Sequence, residues 1–138
     1  MAKLSLIPAQ AAIRTRLLAD GTLTALLASA TSIYDGVPDD AEYPYVVFGE
    51  KHSQPWDVFG KDGHDDSISI YVWSRALGDE ECLTIASRIN ELLHGFALDV
   101  SSAGFSTVLL QLDMLDTMRE PDGRTRKSVS RYKIMTQE

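Results

Sequence analysis

The chain has 138 residues, of which 44% are hydrophobic and 24% charged, with a net charge of −7. That length suits a single domain, residues 1–138, burying about two thirds of the surface its unfolded chain would expose. The composition is that of an ordinary globular protein, and the acidic balance argues against nucleic acid as a primary partner, because phosphate binding needs a basic footprint. One cysteine, Cys82, excludes an internal disulfide framework and fits a reducing compartment. The opening "MAKLSLIPAQAAIRTRLL" lacks the apolar core of a signal peptide because Arg14 and Arg16 interrupt it. No run approaches the roughly 18 apolar residues needed to cross a bilayer, so no membrane partner is expected.

In chain order, residues 8–28 have a helical pattern. Pro8 suits a first turn, and Ile13, Leu17 and Leu18 share one apolar stripe. Asp20-Gly21 interrupts it, so Thr22–Ala28 is expected to form a second, short helix capped by Thr22. The stretch "IYDGVPDDAEYPYVVFGE" follows, with Asp35, Asp39, Asp40 and Glu42 placed within eight residues. Its β-branched and aromatic end predicts a strand over Tyr45–Glu50. Lys51–Asp66, "KHSQPWDVFGKDGHDD", has no sustained period and three breakers, Pro55, Gly60 and Gly63. It is expected to be a long loop over 51–66, and loops of that length are uncommon and more often functional or disordered than not.

The next segment, "DSISIYVWS", alternates cleanly. Ile68, Ile70 and Val72 take one face while Ser67, Ser69, Tyr71 and Trp73 take the other, as in a strand with one face on a core. "GDEECLTIASRINELLHG" predicts a helix capped by Asp79, with Glu80 and Glu81 at its positive end and His94 in its last turn before Gly95. Its buried stripe is expected to be Leu83, Ala86, Ile89, Leu92 and Leu93, with Cys82 a small half-buried residue. In "FSTVLLQLDMLDTMRE", Val108, Leu110, Leu112 and Met114 alternate with Leu109, Gln111, Asp113 and Leu115, a long strand. "EPDGR" makes a tight turn through Pro121 and Gly123, and "RTRKSVSRYKIMT" returns as the last strand. The order points to an α+β fold: a mainly antiparallel sheet of about four strands with two main helices packed on one face.

Little in the sequence carries chemistry. A calcium loop of EF-hand type needs oxygens at alternating positions and a glycine at the sixth. In the acidic stretch Gly36 follows Asp35 at once and Pro38 interrupts the carboxylates, so the register fails. "YDGVPDD" has what a turn needs instead, and Pro44 biases Tyr43 toward the extended geometry that feeds a strand. The carboxylates are expected to be solvated negative surface. His52 and His64 flank the 51–66 segment, and a Zn site with Asp62, Asp65 or Asp66 is the alternative to solvent-exposed loop histidines. No P-loop, GxSxG or GxGxxG occurs, so no catalytic residue, metal or cofactor is expected.

Two features point to assembly. Trp56 and Phe59 are large aromatics on an irregular segment, a composition enriched at interfaces; the alternative is a loop that folds back and buries them over the sheet. Charge is also divided. Residues 1–118 carry a balance of −10, whereas residues 119–138 carry +3 through Arg119, Arg124, Arg126, Lys127, Arg131 and Lys133. These charges are read first as solvated strand-edge groups that discourage aggregation. The alternative is a head-to-tail contact between the acidic body and the basic ribbon, which is heterologous, and such contacts close into rings when the rotation permits.

The ordered set "AIRTRLLAD…LTALL", "IYDGVPDDAEYPYVVFGE", "ISIYVWSRALGDEECLTIASRINELLHG" and "MREPDGRTRKSVSRYKIMT" resembles the tail terminator or tail-completion proteins of long-tailed phages and gene transfer agents. The matching elements run from Ala12 to Met135. The resemblance implies an α+β structural protein without catalytic residues, located in the virion tail and assembled in the bacterial host cytoplasm. It implies a ring of copies, commonly hexameric, at the head-proximal end of the tail tube. There the ring would stop tube polymerisation and offer a head-attachment surface, with the tube protein and a head-completion or connector protein as partners. A head–tail joining (neck) protein of the same fold is the alternative, and a small metal- or ligand-binding domain a more remote one. Charge and exposure nominate Trp56 and Phe59 for contact with the tube or a neighbour. They nominate Arg119, Asp122, Arg124, Arg126 and Lys127 for pairing between subunits.

Overall fold

The computed structural model of the protein describes residues 4–57 and 59–138. Its elements are α1 (Leu6–Leu18), α2 (Gly21–Thr24), β1 (Ile33–Tyr34), β2 (Tyr45–Pro55), β3 (Gly63–Ser74), α3 (Glu80–Leu93), β4 (Ser106–Arg119) and β5 (Arg126–Gln137), with a 3₁₀ turn at Ser101–Ala103. The strands form one five-stranded sheet in the order β1-β2-β3-β5-β4. Only β1 runs parallel to its neighbour; the other pairs are antiparallel. The fold is therefore α+β and mostly antiparallel, with five strands rather than about four. The addition is the two-residue β1, too short to leave a periodic signal.

The expected long loop over 51–66 is largely strand. Lys51 pairs with Ile68 and Pro55 with His64, which leaves a connection at 56–62. Alternation fails there for two reasons. A bulge between Phe48 and Lys51 shifts the period, and the residues beyond it are polar on both faces, so the backbone ladder rather than a buried stripe defines the strand. Gly49 lies in that bulge, and the Tyr71 ring crosses it where a side chain would otherwise stand.

One face of the sheet carries the core. Val46 and Phe48 of β2, Ile68, Ile70 and Val72 of β3, Leu110 of β4, and Tyr132 and Ile134 of β5 meet Ala9, Ile13 and Leu17 of α1 and the stripe of α3. That stripe is Cys82, Ile85, Ala86, Ile89, Leu92 and Leu93. Leu83 stands outside it, exposed, whereas Cys82 is fully buried. Helical spacing from Ile85 and Ile89 selects position 82 rather than 83. At the centre the Tyr132 hydroxyl donates to Asn90 Oδ1 at 3.1 Å, and burial pushes its phenol up.

Helix capping also differs from the sequence pattern. Asp20, not Thr22, caps α2: its Oδ2 accepts from the Leu23 amide at 2.8 Å. The same carboxylate takes two bonds from the Arg88 guanidinium, at 2.9 and 2.8 Å, which ties the start of α2 to α3 and holds Asp20 below the usual carboxylate range. Asp79 makes no side-chain cap on α3; it binds Arg126 across to β5 at 2.9 Å. Gly95 ends the α3 region with φ of 77°. Its amide donates to Leu110 O, and His94 Nδ1 accepts from the Leu112 amide. These two bonds cover the outer edge of β4 over 110–112. A bulge between Leu112 and Met114 follows, and beyond it the cover stops.

Candidate assembly interface

The β4–β5 hairpin owes its tight tip to Asp122. Its carboxylate accepts from the Arg124 and Thr125 amides at 2.9 and 2.8 Å and from the Thr125 hydroxyl at 2.5 Å. These donors, led by the hydroxyl, hold the Asp122 carboxyl down at about 2. Gly123 takes the left-handed φ of 77° that the bend needs. Arg75, following β3, comes within 3.7 Å of Asp122, and its backbone oxygen accepts from Arg124 Nε at 3.4 Å.

The candidate ribbon divides at this tip. Arg126 is mostly buried and bound to Asp79, so its charge is spent within the chain. Lys127 lies over the rings of Tyr71 and Trp73, 4.7 and 5.2 Å from their centroids, on the face of the sheet away from the helices. Lys133 is paired with Asp65. Arg119 and Arg124 stay exposed, and Arg119 has no ion pair among the described residues.

Beside that tip is a surface that the sequence pattern did not single out. From Asp113 to Arg119 every β4 residue is exposed. Met114 and Met118 share the Lys127 side of the sheet, while Leu115 lies on the helix side. Nothing on the sheet borders the outer edge of this half-strand, because β4 is terminal in the strand order. Three large apolar side chains thus stand open on both faces of an unpaired edge. Sheet edges in soluble proteins are normally blunted by charged side chains, proline or a bulge. Here the bulge at Leu112/Met114 and the charges of Asp113, Asp116 and Arg119 do so in part, and neither lysine nor proline is present over 113–119. The readable signal was apolar residues in both registers of one strand, Met114 and Leu115 side by side.

Trp56 and Phe59 lie at the opposite end of the sheet, in the β2–β3 connection, so the structure does not bring them to the arginine cluster. Trp56 is half-buried, its amide bonded to Gly63 O at 2.8 Å. Phe59 is 99% exposed with φ of 53°, a left-handed conformation unfavourable for a bulky side chain. The benzyl group is therefore fully hydrated on a strained backbone, without a contact among the described residues.

The histidine alternative has no geometry to support it. His52 pairs with Ser67 and faces the side away from the helices. His64 is buried on the helix side, edge-on to Phe105 at 5.5 Å. The expectation of exposed loop histidines fails for His64 because the strand continues through it in register with Ile68. The two rings are on opposite faces of one sheet and cannot share a ligand. Among the described residues no three His, Cys, Asp or Glu side chains converge, and no helix is long and apolar enough to span a membrane. The carboxylates of 35–42 are exposed as expected, with Asp35 held by Lys51 at 3.4 Å.

A sheet with helices on one side ends in an exposed, arginine-tipped hairpin, an arrangement suited to contact with another subunit. A solved chain from the virion of a native gene transfer agent particle has this fold, at 24% identity and a TM-score of 0.84 over 94% of each chain. The tail completion protein gp17 of Bacillus phage SPP1 is 25% identical over 109 residues, 79% of either chain. Residues 11–137 match the family of tail completion protein gp17, and the chain belongs to that family. It is a structural tail-completion protein of the virion, not an enzyme.

Proposed function

We propose that copies of this chain close into a ring, hexameric as the resemblance implies, on the head-proximal end of the tail tube. The ring ends tube polymerisation and presents its other face for head attachment. The observation that carries this reading is the half-strand 113–119, open at its edge and on both faces. An exposed apolar edge on a virion component is a surface made to be covered by another subunit. Family membership supports the tail role, and the two unlike ends of the sheet suit a cap that meets different partners above and below. At one end stands the Phe59 finger, a candidate contact for the tube protein; at the other stand Arg119, Asp122 and Arg124. Lys127 and Arg126 serve the interface by stiffening the hairpin base rather than by pairing directly. Assembly takes place in the bacterial host cytoplasm.

Particles made without the protein test the proposal. Tails of variable, excessive length, free of heads, support capping. Tails of normal length without heads would assign it instead to head–tail joining, the same fold serving as a neck protein. Normal virions would overturn both.

A further inference from the structure

The ring leaves open which surface receives the β4 edge. The sheet has one other border, formed by β1 and the turn at 35–42 that leads from β1 into β2. We propose that the distal half of β4 in one copy packs along β1 and this acidic turn in the next copy, with Arg119 and Arg124 set against Asp35, Asp39, Asp40 and Glu42. This inference rests on the ring reading and specifies its subunit contact.

Three observations carry it. The first is level. Across the sheet Tyr45 pairs with Trp73, Trp73 with Lys127, and Lys127 with Met118. In a ring whose copies share one orientation, Met118 of one copy is therefore level with Tyr45 of the next, at the end of β2 where the acidic turn arrives. The second is polarity. β4 runs opposite to β2 within one sheet, and β1 runs with β2. Rotation about an axis along the strands preserves these directions, so β4 meets its neighbour's β1 antiparallel. Arg14 already binds Ile33 O at 3.2 Å, so the contact is side-chain packing along β1 rather than a continued backbone ladder. The third is complementarity. The β4 side offers exposed Met114, Leu115 and Met118, with Arg119 and Arg124 at its tip and the exposed Asp113 and Asp116 further along the strand. The turn, which arrives at the level of the tip, offers exposed Val37 and Tyr43 among four exposed carboxylates. Both charge sets are too exposed to contribute much alone; across a closed interface the tip arginines against the acidic turn favour this register.

Sedimentation of charge-swapped variants tests the contact. One variant carries Arg119→Glu with Arg124→Glu, the other Asp39→Lys with Asp40→Lys, and circular dichroism checks that each folds. All four positions are exposed. Each variant alone is expected to lose the oligomer at concentrations where the unmodified chain is assembled. An equimolar mixture is expected to regain it as a ring of alternating copies, because each reversed tip then meets a reversed turn. If the unmodified chain assembles and the variants do too, or if the mixture stays dissociated, this contact is wrong and the ring stands. If the unmodified chain is a monomer at every concentration, the ring reading fails and this inference with it.

Discussion

Gly63→Ala tests the account of how the β2–β3 hairpin is held. A methyl group there would stand 2.2 Å from the backbone oxygen of Trp56 and 2.8 Å from that of Thr136. Both obstacles are main chain, one in the connection and one in β5, so neither can rotate away. To restore ordinary contact the Trp56 carbonyl has to retreat by about 1 Å, which breaks the 2.8 Å bond from the Trp56 amide to Gly63 O. Overpacking of this kind costs about 1–3 kcal/mol, and the lost hydrogen bond adds about 1 kcal/mol. A domain of this size then melts roughly 8–15 °C lower. Gly49→Ala is the control. Its methyl group would stand 2.2 Å from the Tyr71 ring, but that ring end is a side chain able to swing toward solvent. The control is expected to lose less than about 1 kcal/mol. Thermal melts of both variants decide the matter: if Gly63→Ala is as stable as Gly49→Ala, the packing at Gly63 is not as described.

Three further outcomes follow from single groups. Asp122 has its carboxyl held below the ordinary value of about 3.9, so its stabilisation is complete above pH 4 and lost as pH falls toward about 2. The melting-point gap between the native chain and Asp122→Ala should shrink over that window; a constant gap would contradict the linkage. Tyr132→Phe removes the bond to Asn90 and is expected to cost about 1 kcal/mol in urea unfolding at neutral pH; unchanged stability would rule the bond out as a contributor. Met118→Lys lies on the open half of β4; it should leave the melting point within about 2 °C while weakening self-association by light scattering. Loss of stability with association intact would move the interface elsewhere.

What the sequence revealed was what side-chain periodicity records. α3, the alternation of Ile68, Ile70 and Val72, and the "EPDGR" turn were legible because apolar spacing or turn chemistry marked them. β1 was missed because two residues carry no period, and the end of β2 because its side chains are polar on both faces. Of the candidate interface, the tip residues were visible as charge. Their division into spent and free groups was not, since whether Arg126 meets Asp79 depends on a contact across 47 positions of chain. The open half of β4 was hidden for another reason: a strand apolar in both registers reads equally as buried on both faces, and only the strand order shows it to be an edge.

The proposed role in ending tail-tube growth has a direct test. It adds the purified chain to polymerising tube protein and measures tube length by negative-stain microscopy. The account predicts tubes that shorten as the ratio of added chain rises, with the protein located at one end only. An unchanged length distribution, or protein spread along the tube wall, would contradict it.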